Sequence, residues 1–117
     1  MGRSKVRIIP NTKEENEIKS IINAICVALD LDVNKLYEKN TTAKYVEARY
    51  IAVYIIRSKY GKTTSYKYIS GLFNRNTHLF AFQAEMFCKD WISLNKDFRQ
   101  KYLSVLKSID YPKLEYK

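Results

Sequence analysis

Apolar residues recur along this chain with the period of an α-helix almost from end to end. Ile18, Ile21, Ile22, Ile25 and Leu29 stand three and four apart, which predicts a first amphipathic helix from Glu15 to about Leu29. Asp32 is placed to cap a short helix through Tyr37, with Val33 and Leu36 turned inward. The polar stretch from Lys39 to Lys44 has no apolar period and reads as a loop. Behind Thr42 as cap, the segment from Ala43 to about Lys59 carries Val46, Ala48, Ile51, Ala52, Val53, Ile55 and Ile56. These cover most of a helix's circumference, as expected of a central helix touched from several sides. Gly61 is expected to end it in a left-handed conformation.

Thr63 or Thr64 is expected to open a further short helix that buries Tyr68, Ile69 and Leu72. Asn74-Arg75-Asn76 then supplies a tight turn, because asparagine tolerates the backbone angles such turns need. Asn76 or Thr77 caps a helix to about Ser93, with Phe80, Ala81, Ala84, Phe87, Cys88 and Trp91 inward. A last helix from Asp97 to Ile109 presents Phe98, Tyr102, Val105, Leu106 and Ile109. No segment alternates with period two for long enough to predict a strand. The expected fold is all-α, about six helices, with a helix-turn-helix in its second half. The 117 residues make one domain, residues 15–110, after a flexible basic arm over 1–14 and before a tail over 111–117.

Charge adds a direction to this scaffold. The chain carries a formal +9, and residues 41–76 hold seven Lys and Arg against one acid, Glu47, so +6 lies there. A helix-turn-helix under a concentrated basic field is what a DNA-binding surface needs. An anionic membrane surface is the second candidate partner for such a charge. The apolar run in the N-terminal arm is too short for a secretory signal or a membrane span, so a cytoplasmic location and no membrane partner are expected.

Other chemistry is sparse. Cys26 and Cys88 are far apart in apolar helical patterns and read as core residues. His78 is the only histidine and no CxxC or HxxxH spacing occurs, so no metal site is expected. Gly61-Lys62-Thr63 matches the tail of a phosphate-binding loop, but Ile56 stands where its first glycine is required. No nucleotide, cofactor or catalytic activity is therefore expected. No paired carboxylates and no nucleophile beside a base are apparent.

Val46 to Gly61 reads VEARYIAVYIIRSKYG. It resembles the long helix, of the type VEARQIAMYLARELTG, in the C-terminal DNA-binding domain (domain IV) of the bacterial replication initiator DnaA. Tyr68-Ile-Ser-Gly-Leu-Phe73 stands where that family has a short helix ending in EIGRAF, and Asn74 to Ala84 stands on its recognition signature GGRDHTTVLHA. The resemblance covers about ninety residues, from Ile18 to Ile109. It implies a Trp-repressor-like helical fold, double-stranded DNA as partner, and a role in replication initiation or in regulation. Within the signature only His78 and Ala84 keep their identity: Asn76 replaces its arginine, Thr77 its aspartate, and Leu79 and Phe80 its threonine pair. The loop from Gly61 to Ile69 is also about two residues longer than the family's. A target other than the standard initiator box is expected. The family's ATPase region has no counterpart in this sequence.

A recognition helix meets base edges with its first turn. Asn76, Thr77, His78 and Leu79 occupy those places, with asparagine suited to adenine and leucine to a thymine methyl. For Asn76 and Thr77 the plain alternative is a helix cap, and for His78 an idle surface position. Phosphate contacts are expected from Lys62, Thr63, Thr64, Ser65 and Lys67 around the start of the short helix. Arg75, next to the turn, belongs to the same basic set, and the hydroxyls of Tyr50 and Tyr66 are also within the expected set. By resemblance, Arg49 and Arg57 match phosphate-holding positions of the long helix, while Lys39 and Lys44 flank a loop that reaches the minor groove. Arg49 has the alternative of an ion pair with Glu47. Apolar Leu79, Phe80 and Phe82 support a competing view, a protein-interaction module that kept the scaffold and lost base reading. A homodimer or a replication-protein partner is compatible with either.

Overall fold

Asn11 sets the start of the chain's first helix. Its side-chain oxygen accepts from the Glu14 amide at 2.8 Å, and the Glu14 carboxylate accepts from the Asn11 amide at 3.2 Å. This reciprocal cap satisfies two amides that a helix start leaves open. The computed structural model describes residues 10–39 and 41–109, and in these it is all-α. It holds α1 (Thr12–Leu29), α2 (Val33–Tyr37), α3 (Ala43–Tyr60), α4 (Tyr66–Leu72), α5 (Leu79–Leu94) and α6 (Lys96–Ser108). The helix therefore begins three residues before Glu15, and the expected arm over 1–14 is too long at its inner end. The rest of that arm (residues 1–9) and the tail over 111–117 lie outside the described residues.

Helix α3 is the axis of the molecule. Ile51, Ala52, Val53, Tyr54, Ile55 and Ile56 are buried in an unbroken run, so neighbours cover it on all sides. Helices α1, α2 and α5 pack on it, and α6 closes the assembly against α1 and α5. Glu47 of α3 and Lys101 of α6 form an ion pair, and Tyr60 donates to Glu17 of α1. Asp32 caps α2 as expected, accepting from the Asn34 amide at 2.9 Å. Cys26 and Cys88 are free and buried in the core. No helix among the described residues is long and apolar enough to cross a membrane.

Two junctions differ from expectation. Gly61 follows α3 with right-handed angles, φ −57° and ψ −25°, rather than left-handed ones. Its glycine is needed for space: a Cβ there would stand 2.7 Å from the Arg57 carbonyl oxygen. The cap of α4 is Ser65, which accepts from the Tyr68 amide at 3.0 Å, not Thr63 or Thr64. Both threonines instead turn their hydroxyls back onto the Tyr60 carbonyl, closing the loop over the end of α3.

Candidate nucleic-acid interface

The turn between α4 and α5 is fixed from both sides. Asn74 adopts the left-handed conformation, φ 60°, and its side-chain nitrogen donates to the Tyr37 carbonyl at 2.8 Å. The turn is thereby tied to the end of α2, and Tyr37 and Phe73 stack beside it at 5.9 Å. Within the helix pair, the buried Ser70 hydroxyl of α4 accepts from the Ala81 amide at 3.0 Å. One open amide of the α5 start is thus satisfied by the preceding helix, which orients α5 without using its own first residues. The sequence reading missed Ser70. Its signal was a polar side chain beside Ile69 on the inward face of a short apolar helix.

That arrangement leaves the start of α5 open to solvent. Asn76, Thr77 and His78 are exposed, and Leu79 is 50% exposed. Thr77 takes part in the local cap, accepting from the Leu79 amide at 3.3 Å, while His78 makes no side-chain cap bond. The first turn of α5 carries no acid. Phe80 turns inward against Phe73 at 5.8 Å, whereas Phe82 stays 41% exposed with its edge on Tyr66. The outward stripe continues through Met86, 44% exposed.

The arginines behave differently from the lysines. Arg49 is 2% exposed, and its guanidinium donates to the carbonyls of Leu36 at 2.8 Å, Glu38 at 2.7 Å and Lys35 at 3.4 Å. It caps the C-terminal end of α2, so the expected phosphate contact and the Glu47 pair are both corrected. Burial, and after it the neighbouring Arg75 charge, pulls its pKa down. Arg57 donates to the carbonyls of Thr64 at 2.7 Å and Gly61 at 3.3 Å, lies 4.1 Å over the Tyr66 ring and stands 3.6 Å from Glu85. It locks the α3–α4 loop rather than facing outward. Arg75 donates to the Phe73 carbonyl at 2.9 Å and covers the Phe80 ring. Arg99 on α6 donates to Ile92 and Ser93. All four arginines among the described residues thus hold main-chain carbonyls of their own fold.

Three further candidates have structural duties. Thr64 is fully buried. Tyr50 packs its ring against Phe87 and Trp91 of α5, about 12 to 18 Å up the helix from Leu79 at the usual rise per residue. Tyr66 donates to Glu85 at 2.6 Å, and that bond is the main cause raising its pKa. Ser65 is engaged as the α4 cap, and Thr63 and Lys62 border a shallow depression with Glu14 of α1. Lys39, Lys44, Lys62 and Lys67 are exposed. Lys39 lies two residues past the Tyr37 carbonyl that anchors the turn, and Lys67 lies on the first turn of α4.

The structure therefore brings together the α5 opening and the α4–α5 turn, and removes Arg49, Arg57, Tyr50 and Thr64 from the surface set. No group of three His, Cys, Asp or Glu among the described residues is placed to hold a metal ion. Comparison with family models, with curated proteins and with solved structures returns no match for this chain.

Proposed function

We propose that this chain binds double-stranded DNA through the opening of α5. The observation that carries the reading is that opening itself. Asn76, Thr77, His78 and Leu79 are solvent-facing at the start of the second helix of a helix-turn-helix, and two ties, the Ser70–Ala81 one buried, fix their orientation. Main-chain amides at a helix start favour negative charge, and no acid in the first turn opposes it. Base contacts fall to Asn76, Thr77, His78 and Leu79. Phosphate contacts fall to Lys39, Lys44, Lys62 and Lys67, with Arg75 beside the turn. The resemblance to the initiator DnaA's C-terminal domain supports the same reading and suggests a replication-related or regulatory setting. The role is binding, not catalysis.

Labelled duplexes titrated at low salt test this. Wild-type protein is expected to bind. The exposed double variant Asn76→Ala/His78→Ala should bind at least tenfold more weakly with unchanged helical content. Absence of duplex binding by the wild type removes the reading.

A second reading has its own observation. Leu79, Phe82 and Met86 form an exposed apolar stripe along α5, the contiguous surface expected of a protein-docking helix. Phe80 does not join it. Concentration-dependent association in sedimentation, abolished by Phe82→Ser and indifferent to DNA, would favour that reading.

A further inference from the structure

Resting on the DNA-binding reading above, we infer that the α5 opening selects A·T-rich duplex through the major groove. Guanine is read mainly by the guanidinium fork of arginine or by lysine, donating to O6 and N7. All four arginines among the described residues are engaged with carbonyls of their own fold. No Lys or Arg lies between Arg75 and Lys89, so the first two turns of α5 present no cation to a base edge.

What those turns and the bend before them present matches the other base pair. Asn76 and Gln83 are exposed side-chain amides, the groups that pair bidentately with adenine N6 and N7. Leu79 and Phe82 are half-exposed apolar groups three residues apart on the outward face. Thymine alone offers a methyl group in the major groove, and apolar contact with it is how it is recognised. The apolar stripe that argues against a phosphate-only surface becomes, in this setting, the thymine-reading element. Affinity comes from the lysines, and preference from these four side chains.

The test uses the full chain and alternating 20-base-pair duplexes in fluorescence anisotropy at one low salt concentration. An A·T duplex is expected to bind at least tenfold more tightly than a G·C duplex. Replacing thymine by uracil removes only the methyl and should weaken binding roughly fourfold per thymine contacted. An inosine·cytosine duplex keeps the minor-groove face of A·T and the major-groove face of G·C, and should bind like G·C. Leu79→Ala/Phe82→Ala, both at exposed positions, should erase the thymine–uracil difference while helical content persists.

Equal binding to A·T and G·C, or a G·C preference, overturns the inference and leaves the DNA-binding reading standing. A·T preference shared by the inosine duplex and indifferent to uracil also overturns it, since the minor groove would then be the source. Absence of binding to any duplex removes both readings.

Discussion

Arg49 is the residue whose chemistry matters most to the scaffold. It places a buried guanidinium on three carbonyls at the end of α2, and α2 in turn anchors the turn before α5 through the Tyr37 carbonyl. Removing it leaves buried acceptors unmatched, at a cost of about 3 kcal/mol. Urea unfolding of Arg49→Met should show that loss, whereas Lys44→Ala and Lys67→Ala should stay within about 0.5 kcal/mol of wild type. A phosphate-contacting arginine would give the opposite ranking. The two thiols make a second residue-scale case. Burial pushes Cys26 from 9.0 up to about 11 and Cys88 higher still. Below pH 9 both folded and unfolded thiols are protonated, so no stability is lost there. Above it the unfolded chain ionises first, and native stability falls as pH rises. Unfolding by urea at pH 8 and pH 10.5 should show the decline, and Cys88→Ala should reduce its slope. At pH 8 iodoacetamide should label both thiols only in denaturant. The function of Arg49 was hidden in the sequence, because the carbonyls its guanidinium meets lie 11 to 14 residues away. The cysteines were legible, since their burial follows from the helical period alone.

The helices themselves were largely written in the spacing of apolar residues, because each buries apolar side chains against its neighbours. Their ends were less legible. Asp32 was readable as a cap because an acid followed by a short apolar repeat leaves one choice. The α3–α4 junction was not, because Thr63, Thr64 and Ser65 are chemically equivalent caps and tertiary contacts choose among them. Two hydroxyls close on Tyr60, and only Ser65 is left to cap α4. The α4–α5 pair carries the sharpest prediction at this scale. Ser70→Ala strips the Ala81 amide of its buried partner and should destabilise the fold by about 1 to 2 kcal/mol. It should also raise hydrogen exchange at the α5 start more than in α1 or α3. Ser70→Thr keeps the hydroxyl but adds a methyl in a buried place, so it should recover part of the protection. Uniform exchange changes across all helices would show that the bond does not orient α5.

At the scale of the whole molecule, the formal +9 overstates what a duplex would meet. Four arginine charges are held against the protein's own carbonyls, and Glu85 and Glu47 each offset a neighbouring cation. The concentration of charge in residues 41–76 was legible in the sequence, but its division into structural arginines and exposed lysines was not. That division fixes a number. If Lys39, Lys44, Lys62, Lys67 and Arg75 are the phosphate ligands, about five counterions leave the duplex, and log K should fall with log salt at a slope near −4.5. The seven-cation surface suggested by charge counting would give a slope near −6. Titrations between 50 and 200 mM salt separate these values. Replacing one exposed lysine, Lys67→Ala, should reduce the slope by about 0.9 and weaken binding equally on every sequence. Arg57→Ala should leave the slope of the folded fraction unchanged, because its charge already serves Thr64, Gly61 and Glu85. A slope that tracks Arg57 and ignores Lys67 would place the duplex on a different face from the α5 opening.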